Sequence, residues 1–253
     1  MSDILRVEHL SKSFGGVHAV QDLNFRIKKG SIHSVIGPNG AGKTTLFNLI
    51  TGVYTPTSGA IYLDGEDITG QPPYRLARKG MSRTFQNLQI CMNMTALENV
   101  MVGRHLHLER SFLKALLRWP SITRGDRKCR EQAAQLMEFA GIGRYIDADA
   151  SSMPYGALKR LEIARALAAE PRLLLLDEPA AGLNPKETAE IDELIQKVAE
   201  SGVTVVLVEH DMKLVMHISS HILVLDYGKK LAEGTPAEIR ANPDVIAAYL
   251  GAA

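Results

Sequence analysis

Short runs of apolar residues alternate along the chain with segments whose apolar residues recur at helical spacing. This alternation is typical of a mainly parallel sheet covered by helices, so the pattern predicts the α/β class. The predicted strands are residues 4–10, 23–27, 31–36, 60–63, 82–85, 173–177, 203–208 and 222–225. Helices are predicted after Lys43, at Asn184, where a proline follows the capping residue, and near Asp211.

Strand signals disappear between residues 95 and 169, where helical periodicity dominates. This segment opens with Thr95 and Glu98, which have the spacing of a capping box. The sequence therefore predicts a helical lobe (95–169) inserted into a core (1–94 and 170–235). Thr235, Pro236 and Glu238 mark another helix start, so residues 236–253 are predicted to be a C-terminal helical tail of one single domain, 1–253.

Composition limits the class of protein. A chain of 253 residues that is 45% hydrophobic can build one large core. The longest apolar runs, 173–176 and 205–208, are far shorter than the roughly 20 residues that cross a bilayer, and no export signal is visible at the start, so we expect a cytosolic chain. Cys91 and Cys129 lack C-x-x-C spacing, which argues against both a disulfide framework and a zinc site. The net charge of +1 gives no general reason to expect nucleic acid.

The first predicted chemistry lies in a glycine-rich loop between an apolar strand and a helix. Residues 37–44 fit G-x-x-x-x-G-K-[ST], in which glycines let backbone N–H groups approach phosphate oxygens and the helix dipole favours the anion. Lys43 is expected to bridge the outer phosphates of ATP, Thr44 to bind Mg²⁺ and Thr45 to reach an inner phosphate. The predicted nucleotide-binding residues of this loop are Gly37, Pro38, Asn39, Gly40, Ala41, Gly42, Lys43, Thr44 and Thr45.

Two acidic residues follow the apolar strand at 173–177. A strand that ends in Asp177 and Glu178 places both carboxylates at the carboxyl edge of a sheet, beside the phosphate loop. Asp177 is predicted to hold the magnesium ion through water. Glu178 is predicted to orient or deprotonate the attacking water, so the core is a candidate ATPase.

Further motifs, taken in their order, resemble the ATP-binding cassette (ABC) family over essentially the whole chain. Phe14 resembles the family's adenine-stacking aromatic, with core packing as the alternative. Gln86 resembles the glutamine that senses Mg²⁺ and γ-phosphate, and His210 resembles the switch histidine. Residues 181–184 resemble the loop that passes between two subunits, with an ordinary helix start as the alternative. The resemblance implies a P-loop NTPase core of mainly parallel sheet, an N-terminal antiparallel β subdomain and an inserted helical lobe.

The family's signature segment, usually Leu-Ser-Gly-Gly-Gln, binds the γ-phosphate held by the opposite subunit. Here it reads MPYGA at residues 153–157. Pro154 supplies neither a hydroxyl nor an N–H group, so two donors are lost there. Tyr155 and Gly156 stay predicted contacts, because the following helix start is usable. We expect a weaker contact across the dimer, whose two sites need not be equal.

Residues 83–87, 94–100, 155–156, 209–212 and 233–250 look most like the ATPases of high-affinity branched-chain amino acid uptake systems. The stretch 105–120 fits the longer of their two ATPase subunits. The resemblance implies a peripheral position on the cytoplasmic face of the inner membrane. It also implies three partners, namely a second ATPase subunit in a homo- or heterodimer, membrane permease subunits and, indirectly, a periplasmic solute-binding protein. No nucleic acid is expected.

Other functions stay open at this point. The lipopolysaccharide-export ATPase is similar in sequence style. A soluble cassette ATPase acting on DNA or ribosomes would normally carry a coiled coil or a second cassette, and a GTPase or kinase would leave Gln86 and His210 without a role. Residues 104–130 carry eight Lys or Arg against two acids. This stretch is expected to face the permease or an anionic leaflet, or to be a solvated helical face.

Overall fold

The computed structural model of the chain describes residues 2–107 and 120–250. Its strands are β1 Asp3–Phe14, β2 Val17–Lys28, β3 Ile32–Ile36, β4 Ser58–Leu63, β5 Glu66–Asp67, β6 Met81–Arg83, β7 Leu173–Asp177, β8 Thr204–Val208, β9 His221–Asp226 and β10 Lys229–Gly234. Its α-helices are α1 Lys43–Ile50, α2 Pro73–Arg78, α3 Ala96–Gly103, α4 Pro120–Phe139, α5 Tyr155–Leu167, α6 Pro185–Glu200, α7 Met212–Ile218, α8 Pro236–Ala241 and α9 Pro243–Leu250. Short 3₁₀ turns lie at His105–His107, Gly143–Tyr145 and Ala150–Ser152. Part of the predicted basic stretch, residues 108–119, lies outside the described residues.

The central sheet has six strands in the order β10-β9-β3-β8-β7-β6. All neighbours are parallel except β10, which runs antiparallel to β9. Every residue of β3, β7 and β8 is buried, as expected where both faces of a parallel sheet are covered. The predicted α/β class with a mainly parallel core is confirmed.

Alternate residues of the central strands face two different layers. Leu174 and Leu176 of β7 belong to a cluster that includes lobe residues such as Leu161. Leu173 and Leu175 belong to a second cluster, with α1 and the antiparallel strands. Each face of the sheet therefore has its own hydrophobic core, and the carboxyl ends of the strands stay available for chemistry.

A second sheet, in the order β2-β1-β4-β5, is antiparallel throughout, as predicted for the N-terminal part. Strands β1 and β2 are longer than the predicted 4–10 and 23–27. Their apolar alternation is interrupted at His9 and Asp22, which adopt positive φ, but pairing continues beyond these irregular positions to the turn at Gly15 and Gly16. Backbone pairing, rather than side-chain pattern, extends both strands.

The lobe helices α3, α4 and α5 pack against one another. The capping box predicted at Thr95 is present, since its Oγ accepts from the Glu98 amide at 3.2 Å and the Glu98 carboxylate accepts from the Thr95 amide at 2.8 Å. The helix starts predicted at Asn184 and Thr235 also carry capping boxes. None of the described helices is both long and apolar enough to span a membrane.

Candidate active site

A cleft of about 610 Å³ opens at the carboxyl edge of the central sheet. It forms there because the loop after β3, the acids after β7 and the segments after β6 and β8 all emerge at the same edge. The predicted site residues that line it are Asn39, Gly40, Ala41, Gly42, Lys43, Thr44, Thr45, Gln86, Glu178 and His210. Thus residues far apart in the sequence meet around the loop that the sequence predicts to bind phosphate.

Two glycines allow the loop to lie close to neighbouring backbone. Gly37 and Gly42 have φ values of 152° and 100°, a region that side-chain-bearing residues rarely adopt. An added Cβ at Gly37 would lie 2.1 Å from the carbonyl oxygen of Leu225, and one at Gly42 would lie 2.5 Å from that of Ala19. The loop therefore packs closely against the backbone of strands β9 and β2. Helix α1 begins directly after it at Lys43.

Lys43 is buried beneath the loop. Its ammonium group donates to the carbonyl oxygens of Gly37 at 2.7 Å and Pro38 at 3.0 Å. Burial lowers its pKa, and the negative charges of Glu178 and Asp177 act in the opposite direction. The site thus combines the Lys43 ammonium, two carboxylates and the N-terminus of α1, which suits a phosphate group with a divalent metal ion.

Asp177 forms a buried ion pair that the sequence analysis missed. Its Oδ2 accepts from the Arg83 guanidinium at 2.8 Å, and both side chains are only 7% exposed. Arg83 also donates to Asn48 at 2.6 Å and Thr51 at 3.1 Å, while the Asp177 amide donates to the Thr84 hydroxyl at 3.2 Å. These bonds fix the carboxylate. The available signal was an arginine inside the short predicted strand 82–85.

The three predicted catalytic residues are in contact, because Gln86 and His210 both bond the Glu178 carboxylate. One carboxylate oxygen accepts from the Gln86 side-chain amide at 2.9 Å, and the other lies 2.8 Å from His210 Nε2. The Glu178 backbone has φ +49°, an uncommon value for a residue with a side chain, and its amide donates to Val208 O at 2.9 Å. The carboxylate is thereby held between an amide and an imidazole at the mouth of the cleft.

Helix α5 reaches this arrangement through the buried Lys159. Its ammonium donates to the carbonyl oxygens of Gln86 at 3.2 Å and Glu178 at 3.4 Å. One turn later, Glu162 lies 3.5 and 3.4 Å from two backbone amides that flank Gln86. Burial raises the pKa of Glu162, although those amides and the nearby cations oppose the rise. The helical lobe therefore holds the Gln86 segment through two side chains of α5, Lys159 and Glu162.

Glu209 links the segments that follow β7 and β8. This buried carboxylate accepts from the amides of Ala180 at 2.8 Å and His210 at 2.9 Å. Burial raises its pKa, and these backbone donors oppose that rise. Because it bonds the His210 amide directly, Glu209 fixes the backbone from which the imidazole extends toward Glu178.

Six of the predicted residues are not among those that line this cleft. Gly37, Pro38 and Asp177 belong to the loop and strand that form it, whereas Phe14, Tyr155 and Gly156 belong to other segments. Phe14 is 42% exposed, and its ring packs edge-on against Tyr54 with centroids 5.3 Å apart. Tyr155 and Gly156 begin α5, where Pro154 occupies the N-cap and makes no side-chain capping bond. The predicted contact of Tyr155 and Gly156 is with nucleotide in an opposite subunit, so it stays a prediction, as does adenine stacking on Phe14.

The oxygen donors fit a hard divalent ion. Thr44 offers a hydroxyl, Gln86 an amide oxygen and Asp177 a carboxylate, the ligand types that Mg²⁺ prefers. Asp177 is buried behind the cleft, which accords with a contact through water rather than directly. The residues present therefore suit the predicted metal.

Sequence profiles of two families match the chain. The profile described as ABC transporter matches residues 20–181, and that of the branched-chain amino acid ATP-binding cassette transporter matches residues 229–253. The chain is 51% identical over 251 residues to the high-affinity branched-chain amino acid transport ATP-binding protein BraF of Pseudomonas aeruginosa, covering 99% of this chain and 98% of the relative. It is 47% identical, with the same coverage, to the corresponding LivG protein of Escherichia coli K12.

Solved structures of ATP-binding cassettes are similar to this chain over nearly its whole length. The ADP conformation of an ATP-binding cassette of an ABC transporter superposes with a TM-score of 0.87 at 32% identity, covering 99% of this chain and 100% of that one. A dimeric cassette in a post-hydrolysis state, bound to ADP and Pi, superposes with a TM-score of 0.77 at 26% identity, covering 92% and 98%.

Proposed function

The chain belongs to the ABC transporter family as one of its ATPase subunits, and from this premise we propose that it uses Mg-ATP to power branched-chain amino acid uptake. The observation that carries the hydrolytic part is the Glu178 carboxylate, held between Gln86 and His210 beside the phosphate loop. The amino acid specificity is supported by the names of the similar proteins and by the profile matched at residues 229–253. Lipopolysaccharide export has no comparable support.

In the proposed reaction the loop amides and Lys43 bind the outer phosphates. Thr44, Asp177 and Gln86 would hold Mg²⁺, which neutralises phosphate charge when bound. Glu178 orients the attacking water and takes its proton, and His210 contacts the γ-phosphate and orients the Glu178 carboxylate. Loss of the γ-phosphate changes the contacts of Gln86, and Lys159 passes that change to the helical lobe.

We place the second ATPase subunit over the signature segment. Tyr155 and Gly156 lie at the start of α5 and not in the lining of the cleft. A Cβ added at Gly156 would lie 2.5 Å from Glu187, and one added at Gly182 would lie 3.3 Å from the Tyr155 ring, so this helix start is next to residues 182–187 of the same chain. A nucleotide carried by a second copy or by a related subunit would complete its site there. Pro154 removes one hydroxyl and one N–H from this contact, so the dimer is expected to be weaker than with serine.

The permease is expected at an apolar cleft of about 330 Å³ between the core and the lobe. Phe85 and Val102, both more than 40% exposed, line it, as does Val53. Phe85 precedes Gln86 directly, so a partner seated here would sense the state of the active site. This position would keep the chain peripheral, on the cytoplasmic face of the inner membrane, with the periplasmic binding protein reached only through the permease.

Uptake in cells tests this function. A strain lacking the chain should recover uptake of labelled leucine when given the wild type, but not when given Glu178→Gln. Uptake of labelled lysine serves as the control and should not change. Leucine uptake that is unaffected by loss of the chain would refute the proposed substrate class.

Purification of the tagged chain from solubilised membranes would then identify its partners and distinguish a homodimer from a heterodimer.

A further inference from the structure

Three potential metal ligands from different strands converge away from the active site. His33 of β3 pairs with His221 of β9, and Glu233 lies on the adjacent strand β10. Their side-chain donor atoms all lie within 4.8 Å of one another. Glu233 Oε1 is 3.5 Å from His221 Nε2, and the two imidazole centroids are 4.8 Å apart. Sheet register, rather than sequence spacing, creates this cluster.

His33 is the unusual member. It is 3% exposed, and within the part of the chain that the structure describes neither ring nitrogen has a hydrogen-bond partner. An unpaired buried polar group destabilises a fold, so such a side chain requires an explanation. Burial, with His221 and Lys28 nearby, lowers the pKa of His33 to about 3. The ring is therefore neutral, and one of its nitrogens lies within 4.8 Å of the donor atoms of His221 and Glu233.

We propose that His33, His221 and Glu233 bind a transition metal ion, with Zn²⁺ as the best match. Two imidazoles, one carboxylate and a water molecule form a common tetrahedral zinc set. In a tetrahedral site two donors about 2.1 Å from one ion lie about 3.4 Å apart, so the widest separation must close by roughly 1.4 Å. Rotation of the partly exposed His221 and Glu233 side chains can supply this change.

The site is distinct from the nucleotide cleft. His33 lies four residues before Gly37, which corresponds to about 13 Å along an extended strand. A bound ion would cross-link the central strand β3 to β9 and to the edge strand β10, and so fasten the C-terminal part of the chain to the core. We therefore assign it a structural role, in which metal stabilises the fold without taking part in ATP hydrolysis.

Two lysines oppose the ion. Lys230 donates to Glu233 Oε2 at 2.8 Å and so competes for the carboxylate, and the Lys28 charge acts on His33. These charges predict a site of moderate affinity. They also give a directional test, because Lys230→Met should release Glu233 and tighten metal binding.

The test is a titration of the metal-stripped full chain with Co²⁺, followed by displacement with Zn²⁺. The wild type should bind one ion with the visible absorption of tetrahedral cobalt. His221→Gln, at a partly exposed position, and His33→Val should each weaken binding at least about tenfold, the lower end of the loss seen for groups that only support ligands. Circular dichroism would show that each variant is folded, and the ATPase rate should not change.

Two controls separate this cluster from other histidines. His210→Ala removes the imidazole of the active site, and His217→Gln removes an exposed histidine that pairs with Asp192. Both variants should keep the cobalt spectrum and affinity. The proposal is overturned if folded His221→Gln binds cobalt as tightly as the wild type, or if the spectrum is lost in His210→Ala instead.

Discussion

The Arg83–Asp177 pair supports a quantitative prediction, because its partners are well defined. The guanidinium bonds Asp177, Asn48 and Thr51, and both charged side chains are 7% exposed. Arg83→Met keeps much of the side-chain stem but leaves the carboxylate without its cation. Removing one partner of a buried ion pair typically costs about 3–5 kcal/mol, far more than a surface pair contributes.

This loss should be visible in thermal unfolding without nucleotide. For a chain of this size, about 3–5 kcal/mol corresponds to a fall in melting temperature of roughly 6–20 °C. In the double variant Arg83→Met, Asp177→Asn the free energy of unfolding should fall by less than the sum of the falls in the two single variants, because no unpaired charge is left. Arg26→Met is the matched control, since Arg26 pairs with Asp3 at 3.5 Å across an exposed surface. The free energy of unfolding of Arg26→Met should fall by less than about 1 kcal/mol.

If Arg83→Met melts within a degree or two of the wild type, the Asp177 carboxylate does not depend on Arg83. The proposed pairing is also wrong if the falls in free energy of unfolding of the two single variants add up to the fall in the double variant. Either result would mean that water or another group compensates Asp177, and that Arg83 does not position the predicted metal-binding carboxylate.

Three further predictions concern turnover. Glu178→Gln should bind ATP but hydrolyse it at least about 100-fold more slowly, as measured by phosphate release, because the base that activates water is lost; near-normal turnover would exclude that role. Pro154→Ser should raise the fraction of ATP-bound dimer in light scattering, since a hydroxyl and an N–H are restored, and an unchanged fraction would show that the position has no effect. Lys159→Met should lower kcat with little change in ATP affinity, because two carbonyl groups at the active site lose their shared donor. Equal kcat values would contradict a positioning role.

The sequence alone predicts the fully buried strands of the central sheet well, because their side-chain patterns are strong. Strands β3, β7 and β8 lie within one residue of the predictions. Strands β10 and β5 and helix α2 were not predicted. The residues of β10, Lys229–Gly234, lack strand periodicity and are held in place by pairing with β9.

The candidate site was partly predictable for a related reason. The phosphate loop, Asp177 and Glu178 follow their strands directly, so local order locates them. Arg83 and Lys159 act through contacts with residues distant in sequence, which no local pattern reveals. The same holds for His33 and His221, whose proximity depends on the register between β3 and β9.

The proposed function requires the loop after β3 and the acids after β7 to bind one Mg-nucleotide together. The most direct test is calorimetric titration of the purified chain with a non-hydrolysable ATP analogue, with and without Mg²⁺. We predict saturable binding of about one nucleotide per chain that Mg²⁺ strengthens and Lys43→Ala weakens severely. Binding that is absent, independent of magnesium, or equal in Lys43→Ala would contradict this account.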